Sequence, residues 1–210
     1  MTDQQQEQSI LLSADLHSAV LSDILDQLGL RHQAMHHRLR PLLPSPEKCG
    51  FAGRARTFRW MPVDHVDAVD PYGLEIDGMD SLRPGDVIVH STDPVGAGAP
   101  WGELMTTLAI RHGAVGCVCD GNIRDCVPIM DLGFPVYYSG IRPTDSAGRL
   151  RVMAVDVPVT CGDVLVHPGD LVFADFDGVV VIPQNVEEEV CRLAAEKVDA
   201  ETVTRDALQR

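Results

Sequence analysis

GAGAPWGELMTTLAIRHGAVGCVCDGNIRD, Gly96 to Asp125, divides into a glycine-rich loop, a short helix, a buried strand and a turn ending in an Arg-Asp pair. The loop Gly96-Ala97-Gly98-Ala99-Pro100 has few side chains to block a close backbone approach. Gly102-Glu103-Leu104 opens a helix over 102–112, with Leu104 and Leu108, Met105 and Ala109 at i,i+4 spacing and Gly113 as the stop. Residues 114–119 form an apolar run of strand length. Asp120-Gly121 then reads as a turn that presents Arg124 and Asp125 at the carboxyl end of that strand. Ligands of open α/β sheets sit at that end. A helix N-terminus offers free N–H groups to an anion, Arg124 a planar fork to a carboxylate, and Asp125 an oxygen to a hard cation. On spacing alone, an Arg-Asp salt bridge at a helix start stands level with a ligand site.

Outward from this stretch, Val87-Ile88-Val89-His90 is a buried strand leading into the loop, and a short helix near 127–132 precedes a strand over 134–138. The βαβαβ order predicts an α/β fold with a parallel core and right-handed crossovers. Residues 70–82 read as a helix closed by Arg83-Pro84-Gly85-Asp86. Upstream, Val20, Ile24 and Leu28 with Leu21 and Leu25 mark a helix ended by Gly29, for which Ser13 or Asp15 could serve as cap. Residues 39–43 suggest a short strand. Arg54-Ala55-Arg56-Thr57-Phe58-Arg59-Trp60 alternates and reads as a strand at the sheet border.

The C-terminal half is strand-rich: 155–159, 164–166, 171–174 and 178–182, separated by hairpin-like Gly and Asp turns. Asp175 and Asp177 fit turn-capping carboxylates better than a calcium loop, whose spacing is incomplete. A charged amphipathic helix runs from Asn185, with Val186, Val190, Leu193 and Val198 on its apolar side. With no repeat or Gly/Ser linker, residues 13–210 form one expected mixed-sheet domain after a flexible tail over 1–12.

Composition narrows the class. The 31 acidic residues against 17 basic ones give a formal net charge of −14, which argues against a nucleic-acid partner. No apolar run of about 18 residues exists to span a membrane. The polar start MTDQQQEQS lacks the pattern of a secretory signal, so a cytoplasmic location is expected. The six cysteines contain no CxxC pair and read as buried thiols. His32, His36 and His37 suit an exposed connector better than a metal site. Lys48 and Lys197 are the only lysines, and both lie in polar surroundings. Imine chemistry is therefore disfavoured, and carbonyl chemistry points to a metal Lewis acid.

Glu103, twenty intervening residues, then Arg124-Asp125 resembles the acidic-X20-Arg-Asp pattern of the RraA-like family. That family includes class II 4-hydroxy-4-methyl-2-oxoglutarate/4-carboxy-4-hydroxy-2-oxoadipate aldolases and the regulator of ribonuclease E activity. The segments Gly113 to Asp125 and His167 to Pro183 also resemble its signatures. The loop Pro143 to Arg149 resembles a Pro-Thr-Asp-Ser-X-Gly-Arg segment found in part of the group. The resemblance covers roughly Leu16 to Pro183.

The resemblance implies a layered, swivelling β/β/α fold, assembled as a homotrimer or dimer of trimers with clefts between subunits. It also implies a retro-aldol lyase that cleaves a small anionic 2-oxo acid to pyruvate with Mg2+ or Mn2+, with oxaloacetate decarboxylation as a side reaction. Glu103, Arg124 and Asp125 are then the catalytic set, with Asp125 at the metal. Gly102, Glu103, Leu104, Met105 and Arg124 contact substrate. Glu103 stands where the aldolases usually carry Asp. A partner subunit's C-terminal acid completes the site, for which Glu196 and Glu187 to Glu189 compete. The rival expectation is a non-catalytic regulator that binds a ribonuclease.

One outcome follows from charge alone. At physiological salt the purified chain should not retain duplex DNA or RNA in a filter or mobility-shift assay; submicromolar binding there would reveal a basic patch hidden by the net balance.

Overall fold

In the computed structural model, which describes residues 16–92 and 98–209 (backbone alone at 202–206), four parallel strands form the centre of the sheet. These are β2 (Phe51–Pro62), β3 (Asp86–Ser91), β4 (Gly116–Ile123) and β5 (Val136–Ile141). β3 pairs in parallel with both β2 and β4, and β4 in parallel with β5. The crossovers are α3 (Leu74–Asp80), α4 (Glu103–His112) and α5 (Cys126–Leu132). The expected βαβαβ order is thus present. α4 stops where glycine was expected to stop it: Gly113 is left-handed at φ 79°, and its N–H returns to the Ile110 carbonyl.

Around this core the chain adds antiparallel edges. β1 (Arg40–Pro41) pairs with β5. On the far side of β2 lie β9 (Leu171–Asp175), then β10 (Gly178–Ile182), while β6 (Leu150–Val155) pairs with the second half of β2. A separate hairpin joins β7 (Val159–Cys161) to β8 (Val164–Val166). Three further helices are α1 (Ser18–Gln27), the short α2 (Pro46–Cys49) and α6 (Glu187–Leu208), the last entered through a 3-10 turn at Gln184–Val186. The result is an α/β fold on a mixed eight-stranded sheet. Among the described residues no helix is long and apolar enough to cross a membrane.

Alternating strand residues divide the interior. One face packs Phe58, Trp60, Ile88, Cys117, Cys119 and Ile123 under α3 to α5. The other packs Ala55, Val87, Val89, Val118 and Tyr137 against the β7–β8 hairpin. α1 and α6 cover β9 and β10 through Val20, Ile24, Phe173, Ile182, Val190 and Val198. Asp175 caps α1 from a distance, accepting from Ser18 N and Ser18 Oγ at 2.7 Å each, and from Asp177 N at 3.0 Å. This is the turn-capping role expected of it. All six cysteines are free, and only Cys126 is not buried.

Several expectations are corrected. The alternating segment Arg54 to Trp60 is not at a border: β2 lies inside the sheet, and its arginines reach the rims, Arg54 to Glu187 at 2.7 Å and Arg56 to Asp156 at 2.6 Å. Asp120-Gly121 is not a turn, because β4 runs on to Ile123 through a register shift after Cys119. Asp120 is buried there, accepting from Thr92 N at 2.8 Å, Thr92 Oγ at 3.1 Å and Gly162 N at 3.2 Å. The helix expected over 70–82 covers only 74–80, since Gly73 at φ 56° breaks it off. The strand expected over 155–159 is split by a turn at Asp156, φ 55°, into β6 and β7. Gly96, Ala97, Ser13, Asp15 and the 1–12 tail lie outside the described residues.

His90 on β3 is fully buried between the rings of Phe58, Trp60 and Trp101, and among the described residues neither ring nitrogen has a hydrogen-bond partner. Burial pushes its pKa down to about 3, so it is neutral in the fold. The unfolded chain binds a proton at His90 below about pH 6.5 that the folded chain refuses, so stability is lost as pH falls from there toward 3. His90→Phe should therefore out-melt the parent by a margin that widens below pH 6.5. A margin independent of pH would show that the imidazole accepts its proton in place.

Candidate active site

The chain leaves β4 at Arg124 and Asp125, and there it makes a cleft of about 220 Å³, a size suited to a small molecule. Asp125 is the N-cap residue of α5 but has left-handed backbone, φ 57° and ψ 39°, a region Asp tolerates better than most residues. The preceding loop lies alongside: Arg124 N donates to Trp101 O at 2.9 Å, and Ala99 N to Thr144 O at 2.8 Å. Gly98 to Trp101 thus runs between the end of β4 and the loop after β5. Gly102 permits this approach, since a Cβ there would sit 2.8 Å from Asp125 Oδ2 and 3.3 Å from Arg124 Cγ.

The polar lining converges on Arg124. Its Nη2 lies 3.4 Å from Asp145 Oδ1, and its Nε 3.8 Å from Asp125 Oδ2. Tyr72 donates its hydroxyl to Asp145 Oδ2 at 3.4 Å, and the negative charge of Asp145 together with burial raises the Tyr72 pKa. Glu75, on α3, reaches the same wall although only 3% of it is exposed. Burial, reinforced by the Asp145 carboxylate and opposed by Arg124, holds its pKa up at about 8. The first turn of α4 closes the other side. Glu103 N donates to Asp125 Oδ2 at 3.3 Å, and Gly102, Leu104 and Met105 line the cleft. The N–H groups of Leu104 and Met105 belong to that first turn and have no acceptor inside the helix.

Arg124, Asp125, Gly102, Leu104 and Met105 are therefore brought together. The Glu103 carboxylate is not: its Oε1 accepts from Thr107 Oγ at 2.9 Å, and only its backbone N–H addresses the site. Among the candidates on α6, Glu187 binds Arg54, while Glu189 and Glu196 pair with Arg192 at 2.8 and 2.6 Å. Tyr72, Glu75, Asp145 and Ser146 line the cleft without having been singled out as site residues. Asp145 and Ser146 belong to the Pro143 to Arg149 loop, whose sequence resembles a segment found in part of the family. For Glu75 the signal was its helical phase with Met79 and Leu82, which puts a carboxylate on a buried apolar stripe.

The donor set discriminates between kinds of metal site. Among the described residues no group of three or more His, Cys, Asp and Glu side chains could chelate an ion, so a cage built wholly of protein ligands does not fit. Asp125 presents a half-exposed carboxylate to the cleft, and Asp125 with Asp145 outweighs the single charge of Arg124. A hard divalent cation that keeps most of its water and takes one protein carboxylate fits that donor set.

Comparison with known proteins identifies the family. The family model described as RraA-like, Aldolase/RraA, matches residues 18–181. A Halalkalibacterium halodurans protein provisionally named 4-hydroxy-4-methyl-2-oxoglutarate aldolase is 36% identical over 177 residues, 84% of this chain and 77% of that protein. Protein DlpA of Legionella pneumophila is 26% identical over 92% of this chain, which spans only 31% of DlpA's length. The crystal structure of Streptomyces coelicolor RraAS2, described as an unusual member of the RNase ES inhibitor RraA family, superposes with a TM-score of 0.80. It is 31% identical, and the match covers 94% of this chain and 96% of that one. Family match, relatives and fold agree: the chain belongs to the RraA-like family.

Proposed function

We propose that this protein is a divalent-cation-dependent carbon–carbon lyase that cleaves a 4-hydroxy-2-oxo acid to pyruvate and a carbonyl product. The observation that carries the reading is the convergence of Arg124, an open Asp125 carboxylate and the first turn of α4 on one small cleft at the carboxyl ends of the parallel strands. The aldolase name carried by the Halalkalibacterium relative supports the same chemistry.

In this reading Asp125 anchors Mg2+ or Mn2+, which would polarise the 2-oxo group as a Lewis acid. Arg124 holds the 2-oxo acid and faces the oxygen on which negative charge develops. The N–H groups of Leu104 and Met105 face the substrate carboxylate, while that of Glu103 is held by Asp125. Loss of the 4-hydroxyl proton to a cleft carboxylate, directly or through water, lets the C4 carbonyl form as the C3–C4 bond breaks. Its electron pair passes into the pyruvate enolate, and the same stabilisation would serve oxaloacetate decarboxylation. Leu104 stands 72% exposed at the rim. A homotrimer or dimer of trimers in which a second copy shields the cleft belongs to the same proposal, as does a cytoplasmic location.

A second reading, a regulator that binds a ribonuclease, is favoured by the near end-to-end match to RraAS2. The two separate at the cleft, because a regulator has no need for Asp125 to hold a cation. Asp125→Ala should abolish calorimetric Mn2+ binding and turnover, with melting lowered only modestly by the left-handed backbone and the lost Glu103 N–H contact. Arg124→Lys keeps the charge but loses the fork. It should still bind Mn2+, while kcat/KM falls roughly 10–100-fold, the worth of charge-assisted hydrogen bonds of about 1.5–3 kcal/mol. If both variants bind Mn2+ as the parent does and merely melt lower, Arg124 and Asp125 form a structural ion pair and the lyase reading fails.

A further inference from the structure

Retro-aldol cleavage leaves a carbanion equivalent that must be protonated at carbon before pyruvate can leave. Ionised carboxylates and an arginine do this poorly, the first having no proton and the second holding its own too tightly. Glu75 differs from the other acidic groups of the cleft. Asp145 is tied to Arg124 and Tyr72, and Asp125 to the Glu103 N–H. The Glu75 carboxyl has no ion pair or hydrogen bond among the described residues, although it is 97% buried and lies on the cleft wall. An unpaired carboxyl in such a place is stable only with its proton on.

We propose, resting on the lyase reading, that Glu75 is the proton donor of the cleft: its carboxyl delivers the proton that converts the pyruvate enolate to pyruvate. The enolate electron pair forms the new C3–H bond, and the O–H pair stays on Glu75 as a carboxylate. That carboxylate regains a proton through water from the group that took the 4-hydroxyl proton, so each turnover is proton-neutral. In the return direction the Glu75 carboxylate removes a methyl proton from bound pyruvate.

The surroundings keep Glu75 protonated near neutrality. Burial acts first and the Asp145 charge second, with Arg124 opposing, and the pKa reaches about 8. Of the other charged groups nearby, Tyr72 is un-ionised and bonded to Asp145, Arg151 of β6 is engaged with Asp67 and Asp70, and the Glu103 carboxylate is turned to Thr107. A folded pKa above the unfolded value of about 4.5 means that stability, full below that value, is lost as pH rises through 4.5 toward 8. Triosephosphate isomerase and lysozyme show that a glutamate tuned this way can serve as base or acid.

The test uses the full-length protein with Mn2+ and two readouts: deuterium entry into the pyruvate methyl group in D2O, and melting temperature against pH. Glu75→Gln should lower exchange and cleavage together by ~10²-fold or more. It should leave Mn2+ affinity unchanged and melt progressively higher than the parent from pH 4.5 to 8. Glu75→Asp, which keeps an acid on a shorter arm, should retain part of the exchange. Parent turnover should decline above about pH 8, and the Gln variant should lack that limb. Parent-like exchange in Glu75→Gln, or melting that tracks the parent at every pH, overturns the donor role while leaving the lyase reading intact. A parent that neither cleaves nor exchanges overturns the lyase reading and the donor role together.

Discussion

The cleft depends on one close backbone approach, that of Gly102 to the Arg124-Asp125 exit from β4. A Cβ at position 102 would sit 2.8 Å from Asp125 Oδ2, and the carboxylate would have to shift. Because that space is free, the Glu103 N–H reaches Asp125 and Arg124 N reaches Trp101 O. At this contact Asp125 holds a left-handed backbone, and its carboxylate stays half-exposed. Behind it lies a rigid backing of large buried rings, in which Trp101 packs on His90 and Phe134. Sequence becomes geometry at this point: a glycine at the mouth of a helix lets the ends of two βα units touch.

Charge then decides what the cleft can hold. Among the described residues Arg124 alone pairs with Asp125 and Asp145, an imbalance that favours a bound cation. Were Glu75 ionised too, three carboxylates would surround one guanidinium, and an anionic substrate would meet a negative wall. Burial spares the site that charge by keeping Glu75 protonated. The same desolvation that makes Glu75 costly to stability gives the cleft a group able to hold and release a proton near neutral pH.

The parallel core was legible because its signals are local: apolar runs at 87–90 and 114–119, Gly113 as a stop, and turn residues at fixed places. The Arg124-Asp125 pair was legible from its place after a strand, and the family from its motifs. What escaped depends on contacts far apart in sequence. Asp120-Gly121 looks like a turn, yet β4 continues through it because Thr92 and Gly162 supply donors to the buried carboxylate. Arg54 to Trp60 looks like an edge because its arginines alternate, yet they reach past the sheet to α6 and to the turn at Asp156. That Glu75 and Asp145 line the cleft becomes visible only when α3 and the loop after β5 meet at Arg124. The Glu103 side chain, placed in the site by the family resemblance, turns instead along its own helix toward Thr107.

The central claim is that this cleft breaks a carbon–carbon bond with the help of a hard cation. Its most direct test is pyruvate release from 4-hydroxy-4-methyl-2-oxoglutarate by protein stripped with EDTA, followed by return of Mg2+ or Mn2+. The account predicts negligible release from the stripped protein and recovery of turnover when either ion is restored. Equal release with and without EDTA, or none after the ions are returned, would contradict it.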